Sequence, residues 1–380
     1  MRILIGRLWV LLAITVACQA QLSAAEDGYL WVSGDGPSAT AVADEKPVVK
    51  DTAYGNCGET ACGCQGTECG SCAGGGGACC DLGCDDSPQR GIVGIFGFDS
   101  FKGVSDSNRQ SNFGAVTGLN AATPVPGLSD YGIGWQLGMT YGVYDIDGRV
   151  SAVTGQSVAQ SQQQTFVTTG FYRKGNGGQR LSFGLVYDWM LNSNWGVLGT
   201  SPTLGQWRGQ VEYAVAPCNG IGLYGSVRDL GSEQSVGVRP YITTVDTRAI
   251  SQVNLFWHHK FCSGADSWLW VGLPERERLD RVEGGSLGDW IIGANVQVPL
   301  TERLALYGNA QYMHPSAAAG EVASIDSTWN VGAGIMWYFG GHAESHSLNG
   351  KCWLPYMPVA NNSTFLVDQS YEYVPPQPTP

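Results

Sequence analysis

Eight cysteines fall within residues 57–84: Cys57, Cys62, Cys64, Cys69, Cys72, Cys79, Cys80 and Cys84. Thiols at this density do one of two kinds of chemistry. In an oxidising compartment they pair as disulfides, and as thiolates they bind soft metals. Cys62-x-Cys64 and Cys69-x-x-Cys72 offer ligand spacings, but a second well-spaced C-x-x-C pair is missing. Disulfides, within the block or to another chain, are therefore the leading expectation. A low-complexity spacer is the other alternative, and no metal or other cofactor is expected. Cys218 and Cys262 fall in or beside short turns, and Cys352 lies in the C-terminal tail. A Cys218–Cys262 bond requires the two turns to lean together, because bonded Cα atoms lie within about 7 Å. If Cys18 is removed with an export signal, the remaining number is odd, so at least one thiol is free or joined to another envelope protein.

Ionisable residues recur at alternate positions inside strand-like segments. Asp188, Glu212, Asp289, Arg208, Arg228 and Arg248 sit on the polar face of such segments. Facing one another across a channel they would form a charged constriction that selects solutes; in a narrow interior they would neutralise one another. The adjacent His258 and His259 point to opposite faces of a strand. No nucleophile–base–acid set is recognisable from spacing, so no enzyme activity is expected.

These residues depend on strands to place them. Residues 91–340 repeat a pattern in which apolar or aromatic side chains occupy every second position. Leu181, Phe183, Leu185, Tyr187 and Trp189 alternate with Ser182, Gly184, Val186 and Asp188; Trp207, Val211 and Tyr213 alternate with Gln206, Arg208, Gln210 and Glu212. Period two means strand. A polar face repeated on about twelve such strands fits a barrel that is apolar outside and polar within. The expected strands are roughly 91–100, 112–121, 131–144, 164–174, 180–191, 204–216, 220–230, 245–260, 266–274, 287–299, 303–313 and 327–340. Short and long connections alternate between them, as in outer-membrane barrels with short periplasmic turns and longer outer loops. Trp189, Trp195, Trp207, Trp257, Trp290 and Trp337 stand near strand ends, where indoles would form interfacial girdles.

The flanks differ in character. Residues 1–25 read as an export signal: Arg2 and Arg7 precede a short apolar run, and Ser23-Ala24-Ala25 offers small residues for cleavage. Residues 26–90 form an acidic, Cys/Gly-rich lead read as disordered and periplasmic. They carry eleven acids and three bases, against a net charge of −12 for the chain. That balance excludes a basic nucleic-acid footprint. Residues 341–380 end in Val-Pro-Pro-Gln-Pro-Thr-Pro and read as an extended, disordered periplasmic tail.

The segment Asn330-Val331-Gly332-Ala333-Gly334-Ile335-Met336-Trp337-Tyr338-Phe339 resembles the terminal strand signal of bacterial outer-membrane β-barrel proteins. The Cys/Gly-rich lead makes the whole chain similar to barrel families of planctomycete-type bacteria. The resemblance implies recognition by the barrel-assembly machinery and residence among outer-membrane lipid, although about forty residues follow Phe339, where many barrels end. The expected protein is thus all-β, an antiparallel transmembrane barrel of about 12 strands with both termini periplasmic. The leading function is a passive porin-like channel for small hydrophilic solutes, narrowed by side chains and an inward-folded loop such as 145–163. One alternative is an envelope anchor cross-linked through the cysteines; another is a soluble or surface-attached all-β protein.

Overall fold

A computed structural model describes residues 91–374, except for 104–105, 107–110, 147–148, 151–156, 159–160, 176–179, 217, 239–240, 262–263, 278–286, 316–327, 340–342 and 344–352. The export signal, the cysteine block, Cys262 and Cys352 lie outside the described residues.

In chain order the strands are β1 (Gly91–Lys102), β2 (Asn112–Pro124), β3 (Ile133–Tyr144), β4 (Arg149–Val150), β5 (Ser157–Val158), β6 (Gln162–Arg173), β7 (Leu181–Ser193), β8 (Thr203–Ala216) and β9 (Asn219–Leu230). There follow β10 (Ser232–Val238), β11 (Tyr241–Ala249), β12 (Gln252–Lys260), β13 (Asp266–Pro274), β14 (Ile291–Pro299), β15 (Leu304–Met313), β16 (Thr328–Tyr338) and β17 (Val367–Val374). Twelve of them close an antiparallel barrel in the order β1-β16-β15-β14-β13-β12-β9-β8-β7-β6-β3-β2. Closure is made by β1, which pairs with β2 on one side and with β16 on the other, with Phe96 opposite Ile335. The terminal aromatic strand read from the sequence is therefore the closing strand. Barrel strands of 9–14 residues match the length that crosses a bilayer at a tilt.

The alternation sorts as its composition requires. Phe96, Leu119, Leu185, Val211, Leu255 and Val271 point outward and are about half exposed. So much exposed hydrocarbon in a continuous band needs an apolar surrounding. Trp135, Trp257 and Trp337 face outward near the short-turn rim; Trp207 and Trp290 do so near the long-loop rim. Trp195 departs from the girdle expectation: it is buried in a rim loop against Phe365 and Val367. Trp268 and Trp270 are turned inward, opposite Leu269, Val271 and Leu273.

Two segments differ from the sequence expectation. The eighth barrel strand is β12 alone; residues 241–249 instead form β11, which leaves the wall and pairs with β10 and β17 in a separate three-stranded sheet. Glycine and polar residues between 231 and 251 make alternation continue past the rim, so pattern alone could not mark where the wall ends. The tail is the larger correction. Residues 353–367 are ordered and buried inside the barrel. They enter beside the start of β1, where Gly91 N donates to Trp353 O at 3.1 Å, and leave at the opposite rim, where Ile250 N donates to Leu366 O at 2.8 Å. The thirteen residues between Trp353 and Val367 reach about 40 Å when extended, enough to cross a ~30 Å hydrocarbon layer. Strand β17 then lies at the long-loop rim, so the described tail does not stay on the rim where β1 begins. Within the loop 145–163, β4 pairs with β5; among the described residues the element that enters the lumen is the tail.

Candidate functional site

The site is the lumen, and its walls differ. Inward positions on β2, β3, β6 and β7 include many small or amide- and hydroxyl-bearing residues, several of which bind the backbone of the tail, together with the apolar Phe166, Val186 and Met190. Gln136 does most of this: its Oε1 accepts from Tyr356 N (3.2 Å) and Met357 N (3.0 Å), and its Nε2 donates to Met357 O (2.8 Å). Asn120 donates to the same carbonyl, Thr168 Oγ1 accepts from Ala360 N at 2.9 Å, and Arg208 Nη2 donates to Pro358 O at 2.7 Å. Near the long-loop end Gln206 donates to Thr364 O, and Asn362 donates to Asp99 Oδ2 and Gln164 Oε1 at 2.9 Å each. An irregular backbone survives inside a barrel only when its polar groups are met in this way. Pro355 and Pro358 carry no N–H, which reduces the number of donors to be met.

Space for the tail comes from glycine. A Cβ on Gly138 would lie 2.4 Å from Val359 Cγ2, and one on Gly184 would lie 2.9 Å from Met357 Cγ. Of the inward glycines Gly134, Gly138 and Gly142, Gly138 thus makes room for the tail, whereas the other two are covered by the rings of Tyr172 and Tyr144.

The charges form two buried clusters. Arg208 and Asp188 are both fully buried; Nε meets Oδ2 at 2.7 Å and Nη2 meets Oδ1 at 3.0 Å. Thr168 donates to the same carboxylate at 2.6 Å. His258 lies between Glu212 (2.6 Å) and Asp266 (3.3 Å) and stacks on Trp268 with centroids 4.3 Å apart. The other residues expected in the lumen sit elsewhere. Arg228 is at the long-loop rim, paired with Glu275 and Glu277. Arg248 is on β11, outside the wall, and pairs with Asp368 of β17 at 3.3 Å. Asp289 precedes β14 and is half exposed beside His314. Arg228 is near the end of barrel strand β9, Arg248 is on a strand that has left the wall, and Asp289 is in the connection before β14. Asp99, Gln136 and Thr168 were missed because their role exists only once the tail is inside.

Around the tail an open space of about 240 Å³ remains; β9 and β12–β16 line much of it, and Asp99, Asn120, Thr140, Phe166, Arg208 and Glu212 line it from the other strands. His258, Trp268, Trp270, Asn295, Tyr307 and Gln311 face it. Several buried polar atoms around it have no hydrogen-bond partner among the described residues, among them Arg208 Nη1, Tyr224 Oη, Asn295 Oδ1 and Gln311 Nε2. Toward the long-loop rim the lumen turns apolar: Ile250, Leu287, Ile291, Met313 and Leu366 pack together and are almost fully buried.

Cys218 is disulfide-bonded. The pairing of β9 with β12, with Asn219 opposite His259, sets its turn beside the 261–265 turn.

With this geometry the fold class is a closed, twelve-stranded antiparallel β-barrel. The chain belongs to a family of unknown function, DUF6666, whose match spans residues 91–367 and so takes in both the wall and the segment inside it. No curated protein matches the chain. Among solved structures it is similar to the COG4313 outer membrane channel from Pseudomonas putida F1, at 10% identity and a TM-score of 0.43, over 67% of this chain and 97% of that one. It is also similar to the NanC porin, at 11% identity and a TM-score of 0.39, over 64% of this chain and 98% of that one. A third likeness is to the outer membrane phospholipase of Salmonella typhi, at 11% identity and a TM-score of 0.33, over 68% and 94%.

Proposed function

We propose that this protein is an outer-membrane barrel that passes small hydrophilic solutes through the space its own C-terminal segment leaves free. The observation that carries this reading is the cavity left around the tail. Asp99, Lys174, Arg208, Glu212 and His258 line it, and buried polar atoms beside it lack partners among the described residues, each costing roughly 1–3 kcal/mol if left dry. Water or a polar solute is therefore their natural partner. The exposed apolar band and the Trp residues at both rims support placement in a membrane, with the short turns periplasmic and β17 on the outer side.

Planar-bilayer recording tests the reading. Full-length protein should give small, steady conductance steps. Absence of current from protein that shows heat-dependent gel migration would remove the channel reading.

One observation supports a second reading. The apolar packing of Leu366 with Ile250, Leu287, Ile291 and Met313 favours a lumen sealed toward the long loops. A sealed barrel would serve as a membrane anchor for the cysteine-rich segment. Serine at Cys57, Cys62, Cys64, Cys69, Cys72, Cys79, Cys80 and Cys84 would then abolish disulfide-linked envelope species on non-reducing gels and leave the barrel folded.

A further inference from the structure

The short-turn mouth of the barrel carries an excess of positive charge. Lys174 stands in the turn after β6 and lines the open space around the tail. Among the described residues its ammonium makes no hydrogen bond or ion pair; it lies 5.9 Å from the centre of the Tyr172 ring. Burial, and then the like charge of Lys260, push it down to about 7, with Asp266 acting in the opposite sense. A cation held in this way is costly to keep charged, and a bound anion would offset that cost.

Register brings three more bases to the same mouth. Lys260 ends β12 on the face of the inward His258, opposite Asp266. Arg180 shares the face of the inward Ser182, and its carbonyl accepts from Ala214 N at 2.9 Å, so the ladder between β7 and β8 already runs there. Arg303 shares the face of the inward Ala305, and its carbonyl accepts from Tyr338 N at 2.8 Å. Period two thus gives all three lumen-facing positions. The side chains of Arg180 and Arg303 form no ion pair among the described residues.

Fewer acids share these positions. Glu212 and Asp266 both contact His258, at 2.6 and 3.3 Å. Asp130 is exposed on the turn between β2 and β3, and Glu302 takes the outward position beside Arg303. Even with His258 neutral, four lumen-facing bases stand against two carboxylates. The long-loop mouth is built differently: Arg228 is met by Glu275 and Glu277, and Arg248 by Asp368. A ring of bases around an opening concentrates anions there.

From this we propose that the short-turn mouth is an anion site, formed by Lys174, Arg180, Lys260 and Arg303, that draws small oxyanions to the passage. The proposal rests on the hydrophilic-passage reading and names the charge class of the solute.

Calorimetric titration of the full-length protein in a neutral detergent tests it, with inorganic phosphate, choline and glucose as probes. Phosphate should bind saturably, more tightly than either of the others, and less tightly as salt is raised. Lys174→Gln and Arg303→Gln should each weaken phosphate by about fivefold. Arg228→Gln removes the same charge at the other mouth and should leave phosphate affinity unchanged. All variants are to be compared at unchanged heat-dependent gel migration. No saturable phosphate binding, or choline or glucose binding as tightly, overturns the proposal. So does full affinity in both mouth variants, or an equal loss in Arg228→Gln. Bilayer current without phosphate binding would sink the anion site alone; phosphate binding without current would sink the passage and leave the site.

Discussion

The two sides of the lumen are built from the same alternating strands, yet they do opposite things. On the side of β2, β3, β6 and β7, inward positions hold Gln136, Gly138, Thr168, Gly184 and Asp188, and their side chains bond the tail backbone or one another, or yield it space. On the side of β12–β15, inward positions hold His258, Trp268, Trp270, Asn295 and Tyr307, which make none of these bonds to the tail backbone but face the open space beside it. The difference teaches what each wall is for. Small residues and backbone-directed amides fix a chain segment; aromatic faces and unmatched amides keep a wet space.

Perturbing the two walls should therefore give unequal results. The largest effect is expected from ending the chain at residue 352, which removes the segment inside the lumen and should raise single-channel conductance several-fold. An unchanged conductance would mean that the tail does not limit passage. Next comes Arg208→Leu, which strands Asp188 as an unpaired buried carboxylate. It should cost about 3–5 kcal/mol, read as a fall in the urea midpoint. Replacing both residues by leucine should restore much of the loss, because the pair is expensive to desolvate. Gln136→Ala is expected to be milder. It deletes three bonds to the Tyr356–Met357 backbone and leaves peptide groups unmet, loosening the tail by roughly 1–3 kcal/mol. Faster amide exchange confined to residues 354–366 would register it. The smallest effect belongs to the opposite wall: Asn295→Ala, with an Oδ1 already unmatched, should change stability by no more than ~0.5 kcal/mol. A loss comparable to that of Gln136→Ala would erase the distinction between the walls.

The wall itself was legible in the sequence because a membrane barrel is written twice, once as period two along each strand and again as the sorting of loop lengths. Leu181 to Trp189 and the closing strand ending at Phe339 could be read residue by residue. Arg208 and Asp188 were legible as inward charges on the same ground, although not as partners, since register across β7 and β8 is a tertiary fact. The tail was not legible. Trp353 to Leu366 has no period, and its prolines and asparagines are those of a solvated linker. It is ordered only because Gln136, Thr168 and Asn120 meet its backbone and Gly138 yields it space. Arg248 and Asp289 were misplaced for a related reason: alternation says which face a residue occupies, not whether its strand is still part of the wall.

The central claim is that the C-terminal segment lies inside the barrel against β3. Its most direct test is a chain carrying Gly138→Cys and Val359→Cys, positions so close that an added Cβ on the first would touch the second. After mild oxidation of the folded protein, mass analysis of the unreduced digest should join the peptide containing position 138 to the one containing position 359. A folded barrel in which those two peptides remain unlinked would contradict the account.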